Sequence, residues 1–258
     1  MAEGIPVADA NFLSTTVQRL DLVTDRLSSV LGYDRALAFV MYGARMVAHF
    51  RERNHIGTKD TVEALRKLSG SLAQTRTIFR FRGTFPYLSQ LLKSGVLTGN
   101  TPLLQKIQVV SMLLYYPLEH IYFLGSMGLL NLKPKNILNA SRWSCTFWFV
   151  YTFLEVFNVF KDFLKFRRTA RLLGPGPVDH SATLNEKNAP VDEKVKHSLE
   201  NVSQAQNQLS QEAYLLIKRT VSLSCFLPMS LHFSLRKSPF PQLFIDILGF
   251  IAAVNNYL

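Results

Sequence analysis

Along most of the chain the large apolar residues recur at intervals of three and four, the spacing that lines one side of a helix, and not on alternate positions as in a half-buried strand. The pattern predicts an all-α protein. Ala36, Leu37, Val40, Met41, Ala44, Val47 and Ala48 form a first stripe running to about Phe50, with Asp34 placed as its N-cap. Asp60 followed by Glu63 has the form of a capping box opening a second helix. In that segment, Thr61 to Arg82, the side chains of Leu65, Leu68, Leu72 and Phe79 fall within about 60° of one another at roughly 100° per residue, while Glu63, Arg66, Lys67 and Gln74 lie opposite or beside them. The segment is amphipathic, although Gly70 in its middle weakens it by about 1 kcal/mol relative to Ala.

Three longer apolar runs follow. Ile107 to Leu130 spans 24 residues with Glu119 as its one formal charge, and Trp143 to Phe160 spans 18 with Glu155 alone. Leu243 to Leu258 spans 16 and contains Asp246, Asn255 and Asn256. A membrane-crossing helix needs roughly 20 apolar residues, so the runs predict two or three apolar helices within or against a bilayer. The alternative is the core of a soluble helical domain. Between the second and third runs, 174–212 is rich in Gly, Pro, Ser, Asn and Gln and reads as a polar, acidic linker. The expected organisation is a helical region over 1–100 carrying the amphipathic helix 61–82, an apolar hairpin with a basic flank over 101–173, the linker over 174–212, and an apolar helical region over 213–258.

Charge sharpens this picture. The chain of 258 residues has 29 Lys plus Arg against 18 Asp plus Glu, a net charge of +11. The linker is acidic by three, so the remainder carries +14. Such a balance draws a protein toward a polyanion, either nucleic acid or an anionic phospholipid membrane. The strongest basic concentration lies between Tyr42 and Arg82, where Arg45, Arg51, Arg53, Lys59, Arg66, Lys67, Arg76, Arg80 and Arg82 exceed the acids by six. A helix with this distribution suits a bilayer interface, its leucines among acyl chains and its bases among headgroups. The expected membrane-binding residues are therefore Leu65, Leu68, Leu72, Phe79, Arg66, Lys67, Arg76, Arg80 and Arg82. The same stripe would equally pack against the first helix in an ordinary core. No helix-turn-helix, zinc-finger or RNA-recognition signature accompanies the bases, which argues against nucleic acid. Lys161, Lys165, Arg167, Arg168 and Arg171 form a further basic flank after the second run.

Catalytic chemistry is not legible. His55 and Asp60 have the spacing of an acyltransferase pair, but Phe85-Pro86 continues as Tyr87-Leu88 without the motif that should follow, and Asp60 reads better as a cap. No phosphate-binding glycine loop, Gly-x-Ser-x-Gly elbow or His-Glu-x-x-His site is present, and His120 and His232 stand alone. The expectation is a non-enzyme with no cofactor and no metal. Cys145 and Cys225 lie in apolar stretches, consistent with a reducing compartment. Met1 to Thr15 lacks a signal-peptide pattern, and Asn256-Tyr257-Leu258 is not a peroxisomal import tripeptide, so any organelle address is expected to be internal. Gly249 and Ala253 form a small-x-x-x-small pair that would let two helices approach closely.

Several segments, in order, resemble the peroxin-eleven family, and most its gamma-type or fungal C-type branch. They are Asp34-Arg35-Ala36-Leu37 leading to Tyr42-Gly43-Ala44-Arg45, then Arg76-Thr77-Ile78-Phe79-Arg80-Phe81-Arg82-Gly83, Tyr115 to Leu130, Trp143 to Leu154, Leu227-Pro228-Met229-Ser230-Leu231-His232-Phe233, and the Gly249-containing tail. The resemblance implies a peroxisomal membrane protein that elongates and proliferates the organelle by inserting its amphipathic helix into one leaflet. It also implies self-association into a homo-oligomer and recruitment of fission machinery. A metabolite pore or a membrane-bound enzyme of the same organelle is the alternative.

Overall fold

The computed structural model describes residues 29–94, 101–173 and 193–257, with Thr15 and Gly99 in addition. The elements are α1 (Val30–Arg53), α2 (Lys59–Arg80), a 3-10 turn (Phe81–Gly83), α3 (Thr84–Ser94), α4 (Leu103–Ser126), α5 (Pro134–Leu173), α6 (Glu193–Ser234) and α7 (Gln242–Tyr257). The fold is all-α, as the periodicity predicts, with no strand among the described residues.

The helix starts differ from the sequence reading. Ser29, not Asp34, caps α1, its hydroxyl accepting from the Gly32 amide at 3.0 Å. Thr58, not Asp60, caps α2, accepting from the Thr61 amide at 3.3 Å. A hydroxyl immediately outside the first turn reaches the free amides, which leaves Asp60 in the first turn, where its charge favours the positive helix end. Asp34 is free for another partner. The amphipathic helix ends at Arg80, and Arg82 sits in the 3-10 turn that redirects the chain into α3.

α1 and α2 form an antiparallel hairpin, with Glu52 against Arg66 near its turn and Asp34 against Arg76 further along. α4 and α5 form a second hairpin, and α6 and α7 close over both. Ala38, Met41, Tyr42, Met229, Ile245 and Ala253 are the central core, with Leu72, Trp148, Phe226 and Phe233 packed against it. At Gly249 of α7 a Cβ would overlap the Tyr42 ring, so only glycine admits the α1–α7 approach. Gly249 therefore spends its small face on α1 of the same chain, and Ala253 is buried in the central core.

Two expectations about the apolar runs change. No helix among the described residues is long and apolar enough to cross a membrane. Polar side chains interrupt the runs, with Gln108, Ser111 and Glu119 on α4 and Ser144, Thr152, Glu155 and Asn158 on α5. Of the segment expected to be a linker, 174–192 lies outside the described residues, and 193–212 is the first half of α6. That half contains no Gly or Pro and is built largely from Glu, Gln, Lys, Leu and Ala, which the helix tolerates well.

Glycine chemistry gives opposite outcomes at two sites. Around Gly70 no atom lies within 4 Å of the position an added methyl would take, so Gly70→Ala is expected to stabilise the protein by about 0.5–1 kcal/mol. Gly249→Ala is expected to destabilise it by about 1–3 kcal/mol through overpacking against Tyr42. Thermal unfolding of both variants, followed by circular dichroism, checks the two signs.

Candidate functional site

The nine side chains expected to meet a membrane divide into three groups. Leu72 packs on the core, Leu65 is half-buried, and Phe79 stands edge-on to Tyr33 with ring centres 5.7 Å apart. Leu68 remains outside at 46% exposure, joined by Ile78 at 52%, which lies off the predicted stripe. Arg66 is held by Glu52 at 2.5 Å and Lys67 by Glu63 at 2.9 Å, both at the surface. Arg82 is exposed. Arg76 and Arg80 turn inward. The helix thus has its greasy side largely against its own chain, which is the core alternative that periodicity leaves open.

Arg76 grips Asp34 through two nitrogens, at 2.9 and 3.2 Å. One turn on, Arg80 donates to the Tyr115 hydroxyl at 2.9 Å and to Glu119 of α4. Burial pushes the Glu119 carboxyl up, although Arg80 and Tyr115 pull against that rise. The Arg80 guanidinium is pushed the other way by burial, but Tyr115 and Glu119 outweigh it and hold its charge firmly. Arg80 Nε and Glu119 Oε2 are shielded and have no hydrogen-bond partner among the described residues. Beside this pair His120 stacks on Phe81 at 3.7 Å, and burial lowers its pKa.

A second node lies at Glu155 of α5. It accepts from Gln108 of α4 and from Asn158, each at 2.9 Å, and from Arg219 of α6. Arg219 also reaches Asp162 at 2.5 Å. Burial raises the Glu155 pKa, but these donors together bring it below the usual carboxylate range. The sequence marks Glu119 and Glu155 only as lone charges in apolar runs. That is the available signal, because an acid in such a setting is expected to find a donor on a neighbouring helix.

Because these polar groups face inward, the outer faces are apolar. On α4, Leu103, Ile107, Val110, Leu114, Pro117 and Ile121 are all exposed and recur at alternating steps of four and three, a seam about 27 Å long. On α5, Phe153, Val156, Phe157, Phe160, Phe163 and Leu164 are exposed opposite the Glu155 side, and Lys161, Lys165, Arg167, Arg168 and Arg171 follow, all exposed. α3 adds Phe85, Leu88 and Leu92. Contiguous exposed apolar surface of this kind marks a docking face for a membrane or a protein.

His55 and Asp60 are both exposed. His55 adopts a φ of 53° in the turn that closes α1, and Asp60 stands in the first turn of α2, so each has a structural place. Among the described residues no group of three or more His, Cys, Asp or Glu is placed to hold a metal ion.

Polar groups are knit inside an all-α bundle, and apolar side chains cover its outer helices. Residues 20–256 match the family described as Peroxisomal biogenesis factor 11 (PEX11), and the chain belongs to that family. The match is to the family as a whole and does not separate its branches. No curated protein and no solved structure matches the chain. Members are peroxisomal membrane proteins with a role in peroxisome biogenesis, which places this chain at that membrane and in peroxisome proliferation.

Arg80→Ala leaves Glu119 buried with one donor fewer and is expected to cost about 2–4 kcal/mol, whereas Arg82→Ala should stay within about 0.5 kcal/mol. Denaturant titration compares them. For Glu155 the folded pKa is lowered, so its contribution is complete above the ordinary glutamate value of about 4.3 and is lost as pH falls through the lowered value. The stability difference between wild type and Glu155→Gln should therefore be constant above about pH 5 and shrink on acidification. Melting temperatures across a pH series measure it.

Proposed function

We propose that this protein elongates the peroxisomal membrane by wedging apolar helix faces into the leaflet it contacts, and that copies acting together promote proliferation and fission. The observation that carries the reading is the polarity of the α4–α5 hairpin, with hydrogen-bonded polar groups between the helices and aliphatic and aromatic side chains outside. Each large apolar side chain fully withdrawn from water contributes about 1.5–3 kcal/mol. Six of them on α5, each exposed by roughly half, supply about 5 kcal/mol or more before ordering costs. The bases at the end of that face add about 1 kcal/mol apiece near an anionic surface.

A helix that enters a bilayer without crossing it widens only the leaflet it enters. Area added on one side curves the sheet, and many copies turn local curvature into a tubule. α2 contributes Leu68 and Ile78 as secondary anchors and Arg82, Arg66 and Lys67 as headgroup contacts. Leu72, Arg76 and Arg80 act in this reading as the frame that holds α2 to α1 and α4. Self-association and contact with fission machinery belong to the same proposal through family membership, and anionic phospholipid is the primary partner.

Flotation and electron microscopy of full-length protein with anionic liposomes test this. Phe153→Glu combined with Phe157→Glu is expected to weaken binding at least tenfold and abolish tubules, with the helical spectrum retained. Leu68→Glu with Ile78→Glu should weaken it less. Replacing Arg167, Arg168 and Arg171 by Ser should reduce binding mainly at low salt, since screening already suppresses such attraction at high salt. Undiminished flotation of the phenylalanine variant would refute insertion through α5.

A further inference from the structure

Behind α1 lies a space that neither the outer faces nor the ion pairs account for. A cavity of about 530 Å³ is bounded by α1, α2, α4, α5, α6 and α7, within the roughly 300–1,000 Å³ usual for small-molecule sites. Its α1 lining runs from Leu31 to Arg45, so the space follows that helix for about 21 Å. The exposed Leu31 borders its mouth.

The two ends differ in charge balance. Near Leu31 three arginines converge, Arg35, Arg76 and Arg80. Asp34 answers Arg76 and Glu119 answers Arg80, but the half-buried Arg35 has no counter-ion among the described residues. Arg80 Nε and Glu119 Oε2 are sealed beneath that end, with no hydrogen-bond partner among the described residues. At the far end Arg45 is already engaged by Asp246 at 3.6 Å. Between the ends the walls are apolar, formed by Ala38, Met41, Trp148, Phe226 and Met229.

An elongated apolar slot with one unmatched cation at its mouth is complementary to one anionic group bearing one apolar chain. We infer that this slot binds a single-chain anionic amphiphile, its carboxylate or phosphate head held by Arg35 at the mouth and its tail lying along Trp148 and Phe226. A neutral chain of the same length gains the apolar contacts but leaves Arg35 unmatched. The assignment stands on the cavity and is independent of whether the protein bends a membrane.

Tryptophan placement supplies the assay. The chain has two tryptophans. Trp143 is exposed on α5, and Trp148 lines the slot. In a Trp143→Phe background, full-length protein in nanodiscs of neutral lipid is titrated with ω-bromododecanoate, ω-bromododecyl phosphate and ω-bromododecanol, whose bromine quenches a tryptophan it touches. Saturable quenching of Trp148 by either anion is expected, with the alcohol requiring at least about tenfold more for the same effect. Saturation by the carboxylate alone marks a fatty-acid-like ligand, and by the phosphate alone a lysophospholipid-like one. Arg35→Ala, at a half-exposed position, should raise the half-saturating concentration about tenfold, the loss of one charge-assisted hydrogen bond. Equal, non-saturating quenching by all three probes, or titrations that Arg35→Ala leaves unchanged, would overturn the proposal.

Discussion

Two carboxylates placed inside a helical bundle set the terms for everything around them. Glu119 and Glu155 cannot be left alone in an apolar interior, where an unpaired charge costs several kcal/mol. Each is answered from a different helix, Glu119 by Arg80 at the end of α2 and Glu155 by Arg219 of α6. Those bonds fix which helices may be neighbours. They bring the α1–α2 hairpin against α4 and α6 against α5, and they draw in Tyr115 beside Arg80 and Gln108 and Asn158 beside Glu155. With those polar side chains committed inward, apolar residues such as Ile107, Val110, Phe153 and Phe157 are left to cover the outside of α4 and α5.

This commitment explains what can be read from the sequence and what cannot. Helix content, the α1 and α2 stripes and the apolar character of three later runs follow from spacing, a local property. Helix starts are harder to read, because Asp34 and Asp60 are good caps and only the positions of Ser29 and Thr58 relative to the first turn decide the matter. For the residues expected to bind membrane, the sequence shows the chemistry and not the direction in which each side chain faces. Leu72 and Phe79 carry the right chemistry for lipid, but hydrophobic periodicity is blind to whether the neighbour is an acyl chain or Tyr33. Arg76 and Arg80 look like headgroup ligands in a basic segment, and their acids lie 42 and 39 residues away in sequence, beyond any local window. The start of α6 escapes notice because a Gln- and Ser-rich composition resembles a linker, whereas the absence of Gly and Pro over 193–212 permits a helix.

Family membership and the inward-polar arrangement support one another. This peroxisomal membrane protein has no helix suited to crossing among its described residues, and it presents apolar seams on α4 and α5 with a basic cluster toward the end of α5. The slot behind α1 is separate from those seams and is built by the same ion pairs, so the frame that orients the outer faces also shapes a chamber within.

The two longest helices reach past the rest of the bundle. Arg219 lies against Glu155 and Asp162, and Leu215 shares a pocket with Phe166, so α5 and α6 run antiparallel and stay paired beyond the point where α4 begins. About ten residues of α5 project there, roughly 15 Å. The chain leaves Leu173 and returns at Glu193 from the tip of that two-helix stalk. A pull or push delivered at the tip acts with a lever arm on the phenylalanine face at its base, turning that face instead of merely translating it.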